Sequence, residues 1–289
     1  MSTATVASQT HALQCMEVWG GNRAIHSGIS VPGIDAWISS DPYEGNARGG
    51  DIHYVSMCGA GKISRFAITD VSGHGDTVGE LADRLRLLMR KYINTLNQTR
   101  LARALNQDFS RLAQTGRFAT SLLTTYFSPT DHLIVCNAGH PRPLWYHAAS
   151  KTWELLDHDL PQRATEVVNL PLGIIEPTDY VQFAVKLDQG DLVMIYTDSL
   201  MEAANAEGVQ LGEQGLLDLV RSIDVERPQD LNAEVLAAVA AYRQAAAADD
   251  DQTLLLLHHT AADPPKQSIG EKMHVLAKML GLASVEDHP

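Results

Sequence analysis

Four acidic positions in the sequence share a local pattern, an aspartate at the edge of an apolar stretch and beside a turn. They are Asp51 in RGGD, Asp70 in AITDVSGHG, Asp198 in MIYTDSL and the Asp249–Asp251 cluster before QTLLLL. A single aspartate of this kind usually forms a turn or caps a helix. Four of them on different strands would bring like charges to one edge of a sheet, which is costly unless a cation offsets the charge.

The types of these side chains indicate which cation they could hold. Carboxylate oxygens without paired His or Cys favour magnesium or manganese over zinc. Two such ions, roughly 3.5–4 Å apart, can activate a water molecule and stabilise charge on a displaced phosphoryl group. The spacing of the aspartates along the chain does not by itself establish that they meet.

The first half of the chain predicts strands followed by two helices. RFAITD alternates as a strand does and places Asp70 at its end, before the turn SGHG. Apolar residues then recur at three- and four-residue steps from Leu81 to Leu96, and again from Leu101 to Leu112. This spacing predicts a long amphipathic helix and a second helix after it. The segment MEVWGGNRAIHSGISVPGIDAWISS is expected to add strands to the sheet.

The second half returns to strands before two more helices. FATSLLTTYF and HLIVCNAGH are expected to be strands, and TLLLLHH a final one. Val181–Leu187 alternates and leads through DQGD into LVMIYTD, which predicts a hairpin that ends at Asp198. Helices are predicted around 216–220 and 231–242. Paired helices and hairpin-like strands favour a largely antiparallel sheet system covered by helices over a Rossmann arrangement.

Composition limits the class of protein. The net charge of −13 opposes binding to nucleic acid or to an anionic membrane. No apolar run approaches the roughly 20 residues of a membrane helix, and the first fifteen residues show no secretory signal. Three widely spaced cysteines fit neither a disulfide framework nor a zinc site. We expect a cytoplasmic protein that binds neither nucleic acid nor membrane.

Five segments together resemble a known family. DVSGHG, VCNAGHPRPLWY, LPLGI, QGDLVMIYTDSLMEA and DDDQTLLLL occur in this order between residues 45 and 258. Each is weak alone, but the ordered set closely resembles the bacterial metal-dependent phosphatases of the PPM (PP2C-like) superfamily, in the branch of SpoIIE and RsbU-type regulators. The resemblance implies an α+β fold, a four-layer α-β-β-α sandwich of two mainly antiparallel sheets flanked by helix pairs.

The resemblance also implies a site for two divalent cations, Mn²⁺ or Mg²⁺. Asp70 would bridge both metals and the Val71 carbonyl would reach one of them. Asp51 would bind the second metal, and Asp198 and Asp250 would complete the first site. Asp250 is preferred to its neighbours because the family pattern Asp-Asp-x-Thr begins there.

The mechanism that the resemblance implies has no phosphoenzyme, because a hydroxide bridging the two metals attacks phosphorus directly. His74 in the GHG turn either protonates the leaving serine oxygen or only hydrogen-bonds within the turn. Asn137 and His140 are expected to shape a turn near the cleft. Arg142 is either a phosphate contact or an ordinary exposed arginine.

Three functions remain open at this point. The first is hydrolysis of phosphoserine or phosphothreonine on a phosphorylated bacterial regulatory protein, for which the branch suggests an anti-sigma-factor antagonist of the STAS type. The second is a non-catalytic module that binds a partner through a phosphatase fold. The third is hydrolysis of a small phosphoester.

The domain organisation and three departures complete the expectations. Residues 1–20 are predicted to be poorly ordered, 21–260 to form the phosphatase domain, and 261–289 to be a tail with a short amphipathic helix. That helix either docks on its own domain or binds a partner, and a homodimer is one such arrangement. Tyr54 stands where the family often has a second acid, Ser199 replaces a glycine, and His53 is either an extra ligand or a buried core residue.

Overall fold

The computed structural model describes residues 10–14, 17–57, 61–73, 75–92, 95, 97–113, 116–157, 168–244, 247–262 and 287–288. The strands are β1 His11–Ala12, β2 Val18–Gly21, β3 Ile25–Val31, β4 Ile34–Asp41, β5 Asp51–Met57, β6 Ile63–Val71, β7 Ala119–Phe127, β8 His132–Ala138, β9 Leu144–His147, β10 Thr152–Leu155, β11 Gln182–Lys186, β12 Leu192–Tyr196, β13 Gln252–His259 and β14 Asp287–His288. The helices are α1 Asp76–Lys91, α2 Gln98–Leu112, α3 Gly212–Arg221 and α4 Pro228–Tyr242.

The strands form two sheets of seven. Sheet I has the order β1-β3-β4-β13-β12-β9-β10, and sheet II has the order β11-β8-β7-β6-β5-β2-β14. Every pairing is antiparallel except β1 with β3 and β14 with β2, at the sheet edges. The prediction of two mainly antiparallel sheets is therefore confirmed.

Each sheet carries a helix pair on its outer face. Helices α1 and α2 pack on strands of sheet II, and α3 and α4 pack on sheet I. A core between the sheets joins residues such as Ile38 and Leu255 of sheet I to Phe66 and Leu122 of sheet II. Two further cores lie between each sheet and its helices. The layers are helix, sheet, sheet, helix, as the α+β sandwich prediction states.

Burial on both faces explains the uneven alternation of the central strands. All seven residues of β5 and all five of β12 are buried, because one face meets the other sheet and the opposite face meets helices. Edge strands are different: β11 keeps alternate residues exposed. A strand that is covered on both sides has apolar residues at successive positions. Period-two alternation is therefore weak in the central strands.

The predicted hairpin from Val181 to Asp198 is wrong. Its first strand, β11, pairs with β8 at the edge of sheet II. Its second strand, β12, pairs with β9 and β13 in the centre of sheet I. The segment between them crosses from one sheet to the other. An amphipathic edge strand and a fully buried central strand need different surroundings, and they find these in different sheets.

One buried carboxylate holds the crossing segment in place. Asp191 is 2% exposed. It accepts hydrogen bonds from the backbone N–H of Ala148 at 2.9 Å, the backbone N–H of Asp188 at 3.0 Å and the indole N–H of Trp145 at 3.2 Å. These bonds tie the crossing to the β9–β10 turn of sheet I. The aspartate is thus part of the structural framework rather than of a site.

The remaining elements follow the predictions where the structure describes them. The strands predicted around Asp70 and at both ends of the 119–138 segment are present, as are all four helices. Within 1–20, strands β1 and β2 join the sheets, whereas residues 1–9 lie outside the described residues. The predicted C-terminal amphipathic helix also lies outside them. No helix in the described ranges is both long and apolar enough to cross a membrane.

The crossing carboxylate supports a stability prediction. Asp191→Ala leaves three N–H donors in a partly buried setting without their acceptor, so we expect the free energy of unfolding to fall by about 1–3 kcal/mol. Urea unfolding followed by circular dichroism measures this change. Asp188→Ala in the same turn is the matched control, because the Asp188 side chain is exposed, and it should change stability by less than about 0.5 kcal/mol. Equal effects of the two substitutions would contradict the role of Asp191.

Candidate metal centre

Sheet II contributes two facing aspartates to one edge of the sandwich. Asp51 is the first residue of β5, and Asp70 is the residue before the last in β6. The antiparallel register places them directly opposite each other. Side chains of such partners lie close together when they share a face, and like charges there destabilise the sheet.

Sheet I brings its acids to the same edge from two neighbouring strands. β12 ends at Tyr196, and Asp198 follows after one residue, at the start of a short 3-10 turn. β13 begins at Gln252, directly after Asp250 and Asp251. Because β12 and β13 are antiparallel neighbours, the end of one meets the start of the other. The four predicted aspartate positions therefore come from both sheets to one edge.

Threonine hydroxyls connect the two sheets beside Asp51. The Thr197 hydroxyl donates to Asp51 Oδ2 at 2.9 Å, and it also accepts from the Thr253 backbone N–H at 3.0 Å. Thr253 Oγ1 lies 2.8 Å from Ser40 Oγ. Thr197 and Thr253 belong to sheet I and Asp51 to sheet II, so this network fixes Asp51 relative to the opposite sheet.

Asp251 has a structural role that the sequence does not reveal. It is 5% exposed, and its carboxylate accepts backbone N–H bonds from Tyr43, Gly50 and, at 3.4 Å, Asp51. Its lone pairs are therefore directed to the loop that leads into β5. Neighbouring Asp250 is partly exposed and accepts the Asp251 backbone N–H at 2.8 Å. Of these two acids, Asp250 is the one with access to the open edge.

The two glycines before Asp51 allow this close packing. A Cβ atom on Gly49 would lie 2.6 Å from Asp251 Oδ2. A Cβ atom on Gly50 would lie 2.8 Å from the Val71 carbonyl oxygen. Neither distance is compatible with a side chain. The glycine pair in RGGD is thus required by the approach of Asp251 on one side and of the β6 end on the other.

The carboxylates raise each other's pKa values. Burial, followed by the charge of Asp198 and then of Asp250, raises the pKa of Asp70 to about 8. Burial and the charge of Asp70 raise the pKa of Asp51 well above its usual range, although hydrogen bonds from Thr253 and Thr197 oppose this. Burial and Glu202 raise the pKa of Asp198. Asp70 is influenced by acids of both sheets, so it lies at the electrostatic centre of the group.

Three acids of this group have no cationic side chain beside them in the described part of the chain. Among the described residues, Asp51, Asp70 and Asp198 form no ion pair with Lys, Arg or His. No three His, Cys, Asp or Glu side chains of the described part converge on one point as the ligands of a metal do. Asp51, Asp70 and Asp198 thus supply hard oxygen donors whose negative charge no described cation offsets. Such a donor set fits magnesium or manganese and would have to close around the ions.

The loop after Asp70 has the geometry that its glycines suggest. Gly73 and Gly75 have φ values of 95° and 94°, in the left-handed region, and α1 starts directly after them. The Val71 N–H donates to the Gly50 carbonyl at 3.3 Å, which ties this loop to the one before Asp51. Predicted residue His74 lies outside the described residues.

Glu202 is a further acid that the sequence reading missed. It lies four residues after Asp198 and is exposed, and its charge raises the pKa of both Asp70 and Asp198. Its backbone N–H donates to the Asp198 carbonyl at 2.8 Å, so a single turn brings it back to the site. The four-residue spacing in TDSLME is a helical-turn spacing and could have indicated it.

Two of the predicted auxiliary residues have clear structural partners. Arg142 donates to Glu213 on α3 and to Asp157, at 2.8 Å for the latter, so it anchors a helix rather than standing free for phosphate. Asn137 forms two hydrogen bonds with the backbone of His140, which confirms that this pair shapes a turn.

The departures from the family pattern also have structural explanations. Tyr54 is buried in the core between sheet II and its helices, so this position is part of the packing and supplies no ligand. His53 is buried against the Trp19 ring, with 5.0 Å between ring centroids. Burial and the nearby Arg86 lower the pKa of His53 to about 3. The expectation of a buried histidine is met.

The fold and the acidic edge together define a class, the PP2C-like (PPM-type) serine/threonine phosphatases of the SpoIIE/RsbU kind. A sequence model of the family described as Stage II sporulation protein E (SpoIIE) matches residues 61–260, and the chain belongs to this family.

Solved structures share the fold. A structure of RsbU and RsbW domains from Mycobacterium tuberculosis has a TM-score of 0.69 and 23% identity, over 90% of this chain and 70% of that chain. The PP2C phosphatase domain of SpoIIE from Bacillus subtilis has a TM-score of 0.66 and 16% identity, over 78% and 64%. RsbX, solved in complex with magnesium, has a TM-score of 0.57 and 17% identity, over 81% and 99%. Metal dependence is a property of this class.

A curated relative matches a shorter stretch. Phosphoserine phosphatase RsbU of Bacillus subtilis (strain 168) is 24% identical over 144 residues, which is 50% of this chain and 40% of RsbU. The chain therefore spans less than half the length of that relative.

The raised pKa of Asp70 supports a prediction for the metal-free protein. Because the folded-state pKa of about 8 exceeds the unfolded value near 4, the folded state holds the extra proton in this window. The free energy of unfolding therefore falls as pH rises from about 5 to 8. Asp70→Asn removes the charge, so we expect it to stabilise the metal-free chain at pH 8 by about 1–3 kcal/mol, and by less at pH 5.

Urea unfolding at both pH values, after treatment with a chelating resin, measures this effect. Asp249→Asn is the matched control, because Asp249 is an exposed acid beside the same cluster. It should change the free energy of unfolding by less than about 0.5 kcal/mol at either pH. A destabilising effect of Asp70→Asn at pH 8 would show that the carboxylates do not repel each other as described.

Proposed function

We propose that this chain is a metal-dependent phosphatase that hydrolyses phosphoserine or phosphothreonine on a protein. In this proposal two divalent cations, Mn²⁺ or Mg²⁺, are held by Asp51, Asp70, Asp198 and Asp250 with the Val71 carbonyl. The observation that carries it is the meeting of acids from both sheets at one edge, where burial and mutual repulsion raise their pKa values. Repulsion of this kind is relieved by cations.

Each aspartate has a distinct task in this proposal. The charge of Asp70 raises the pKa of Asp51 on its own sheet, and the charges of Asp198 and Asp250 on the other sheet raise the pKa of Asp70. Asp70 is therefore suited to bind both cations. Asp51 is held by the Thr197 hydroxyl and serves the sheet II side. Bound cations would supply Lewis-acid activation of the attacking water and neutralise charge on the phosphoryl oxygens.

Asp251, which has a structural role, keeps this arrangement in place. The Asp251 carboxylate accepts hydrogen bonds from the backbone N–H groups of Gly50 and Asp51, and so it holds this segment against sheet I. The outer carboxylates remain accessible, since Asp198 and Asp250 are partly exposed and Glu202 is exposed. An open acidic edge suits a phosphorylated side chain presented on the surface of another protein. His74, four residues after Asp70, is proposed to protonate the leaving oxygen or to stabilise the turn.

The substrate proposal extends this to a regulatory protein. RsbU is named a phosphoserine phosphatase, and the chain belongs to the same family branch. We therefore place phosphoserine on a small bacterial regulatory protein, of the kind of a STAS-type anti-sigma-factor antagonist, as the first substrate class to test. Small aryl phosphates serve as reporters because they need the same metal-assisted hydrolysis.

The decisive measurement is manganese-dependent turnover of a phosphoserine protein by the wild type and by Asp70→Asn. We expect the substitution to lower kcat/KM by about 10³-fold or more, roughly 4 kcal/mol, because both cations then lose the carboxylate that the proposal assigns to them. Asp249→Asn should keep turnover within about threefold of the wild type, since it removes an equal charge outside the proposed ligand set.

Three results would contradict the proposal. Turnover that survives in Asp70→Asn would exclude this carboxylate from the reaction. Tight binding of a partner by the wild type, with no turnover of either para-nitrophenyl phosphate or a phosphoserine protein in manganese, would instead identify a non-catalytic binding module. A strong preference for small phosphoesters over phosphoproteins would move the substrate class to metabolites.

A further inference from the structure

Arg243 is a buried arginine directly after α4, the helix that packs on β13 of sheet I. It is 8% exposed, and its backbone N–H donates to the Val239 carbonyl at 3.1 Å, so the helix fixes the root of its side chain. Burial lowers the pKa of the guanidinium, and the charge of Asp249 opposes this shift. The guanidinium forms no ion pair with a carboxylate of the described residues. A buried charge without an ionic partner is costly, so its neutral partners are informative.

The first partner of the guanidinium lies in the turn that carries Asp198. Arg243 Nη2 donates to the Ser199 carbonyl at 2.5 Å, and this hydrogen bond is buried. The Asp198 carbonyl is used within the turn, where it accepts the Glu202 backbone N–H at 2.8 Å. Arg243 therefore supplies a donor from outside the turn to the carbonyl group directly after Asp198.

The second partner is the first residue of β13. In the amide orientation that satisfies both groups, the Gln252 side-chain oxygen lies 2.8 Å from Arg243 Nη1 and 3.3 Å from Nη2. Gln252 follows Asp250 by two residues. One guanidinium is thus hydrogen-bonded to both segments of sheet I that carry predicted metal ligands.

The backbone pairing of β12 with β13 stops short of those ligands. It continues past the end of β12 with one bond, from the Thr197 N–H to the Thr253 carbonyl at 3.0 Å. Asp198 and Asp250 lie beyond this bond. Arg243 therefore connects the two segments at the point where the strands no longer hold them together.

We propose that Arg243 is a positioning residue of the phosphatase, which sets the spacing of Asp198 and Asp250 and thereby the affinity of the acidic edge for divalent cations. It acts through the Ser199 carbonyl and the Gln252 amide and contacts neither metal nor substrate. A planar guanidinium can hold two acceptors at a fixed angle, which a lysine amine does not reproduce. This inference rests on the metal role of the two aspartates in the proposed function.

Manganese affinity is the main measurement, because it does not depend on turnover. The full chain is treated with a chelating resin, and titration calorimetry gives the dissociation constant for manganese. Arg243→Met removes every donor of the bridge, and we expect this constant to rise by at least about fivefold. Arg243→Lys keeps the charge without the planar fork, so we expect a smaller rise of about two- to threefold.

Enzyme kinetics distinguishes positioning from substrate contact. At saturating manganese, we expect the KM of Arg243→Met for a phosphoserine protein to stay within about twofold of the wild-type value, because Arg243 does not contact the substrate. A raised KM with an unchanged manganese constant would overturn the positioning role and make Arg243 a substrate-binding residue.

Two control variants separate positioning from general stability. Arg221 ends α3, and its guanidinium donates to the Trp153 carbonyl on edge strand β10 at 3.0 Å, so Arg221→Met removes a similar bond away from the aspartates. Asn232 is buried and donates to the Leu254 carbonyl at 3.2 Å, so Asn232→Ala loosens α4 itself. Asn232→Ala should lower the free energy of unfolding. We expect both controls to change the manganese constant by less than about 1.5-fold.

An unchanged manganese constant in Arg243→Met would overturn the inference, and so would an equal rise in Asn232→Ala. Should Arg243→Met not fold, Gln252→Ala removes one acceptor from a half-buried position and should still raise the constant by at least about twofold. No rise in that variant would also overturn the inference. Failure of the wild type to bind manganese would instead overturn the proposed function itself.

Discussion

A hydrogen-bonded joint between the two sheets holds the acidic edge together. The Asp251 carboxylate of sheet I accepts the backbone N–H groups of Gly50 and Asp51, and the Thr197 hydroxyl of sheet I donates to the Asp51 side chain. Apolar packing fixes the separation of the two sheets, and these bonds fix their alignment along the strands at this edge. The joint is buried, so its bonds do not compete with water. The relative placement of all the site aspartates depends on it.

This joint works against electrostatic repulsion. Facing aspartates in β5 and β6, together with Asp198 and Asp250 from sheet I, concentrate negative charge in a partly buried region. Holding these charges together lowers the stability of the metal-free chain. The raised pKa of Asp70 reflects its burial and this repulsion. Sites that sacrifice stability for function are a general feature of enzymes. The buried cores on either side of each sheet supply the stability that offsets it.

The two adjacent acids directly before β13 have different environments. Asp251 is buried and saturated with backbone donors, whereas Asp250 is partly exposed at the open edge. The Asp-Asp-x-Thr pattern favours Asp250 by resemblance, and our proposal that Asp250 binds a metal uses its partial exposure at the open edge.

Local patterns determined much of this protein. Helix periodicity and strand alternation predicted the α1–α2 pair and the strand that carries Asp70. These features depend on neighbours in the chain. The pairing of β11 and β12 in different sheets, the structural role of Asp251 and the contribution of Glu202 were decided by the tertiary structure. Their partners are distant along the chain or brought close by a turn, and burial and hydrogen bonding across such distances leave no periodic signal in the sequence.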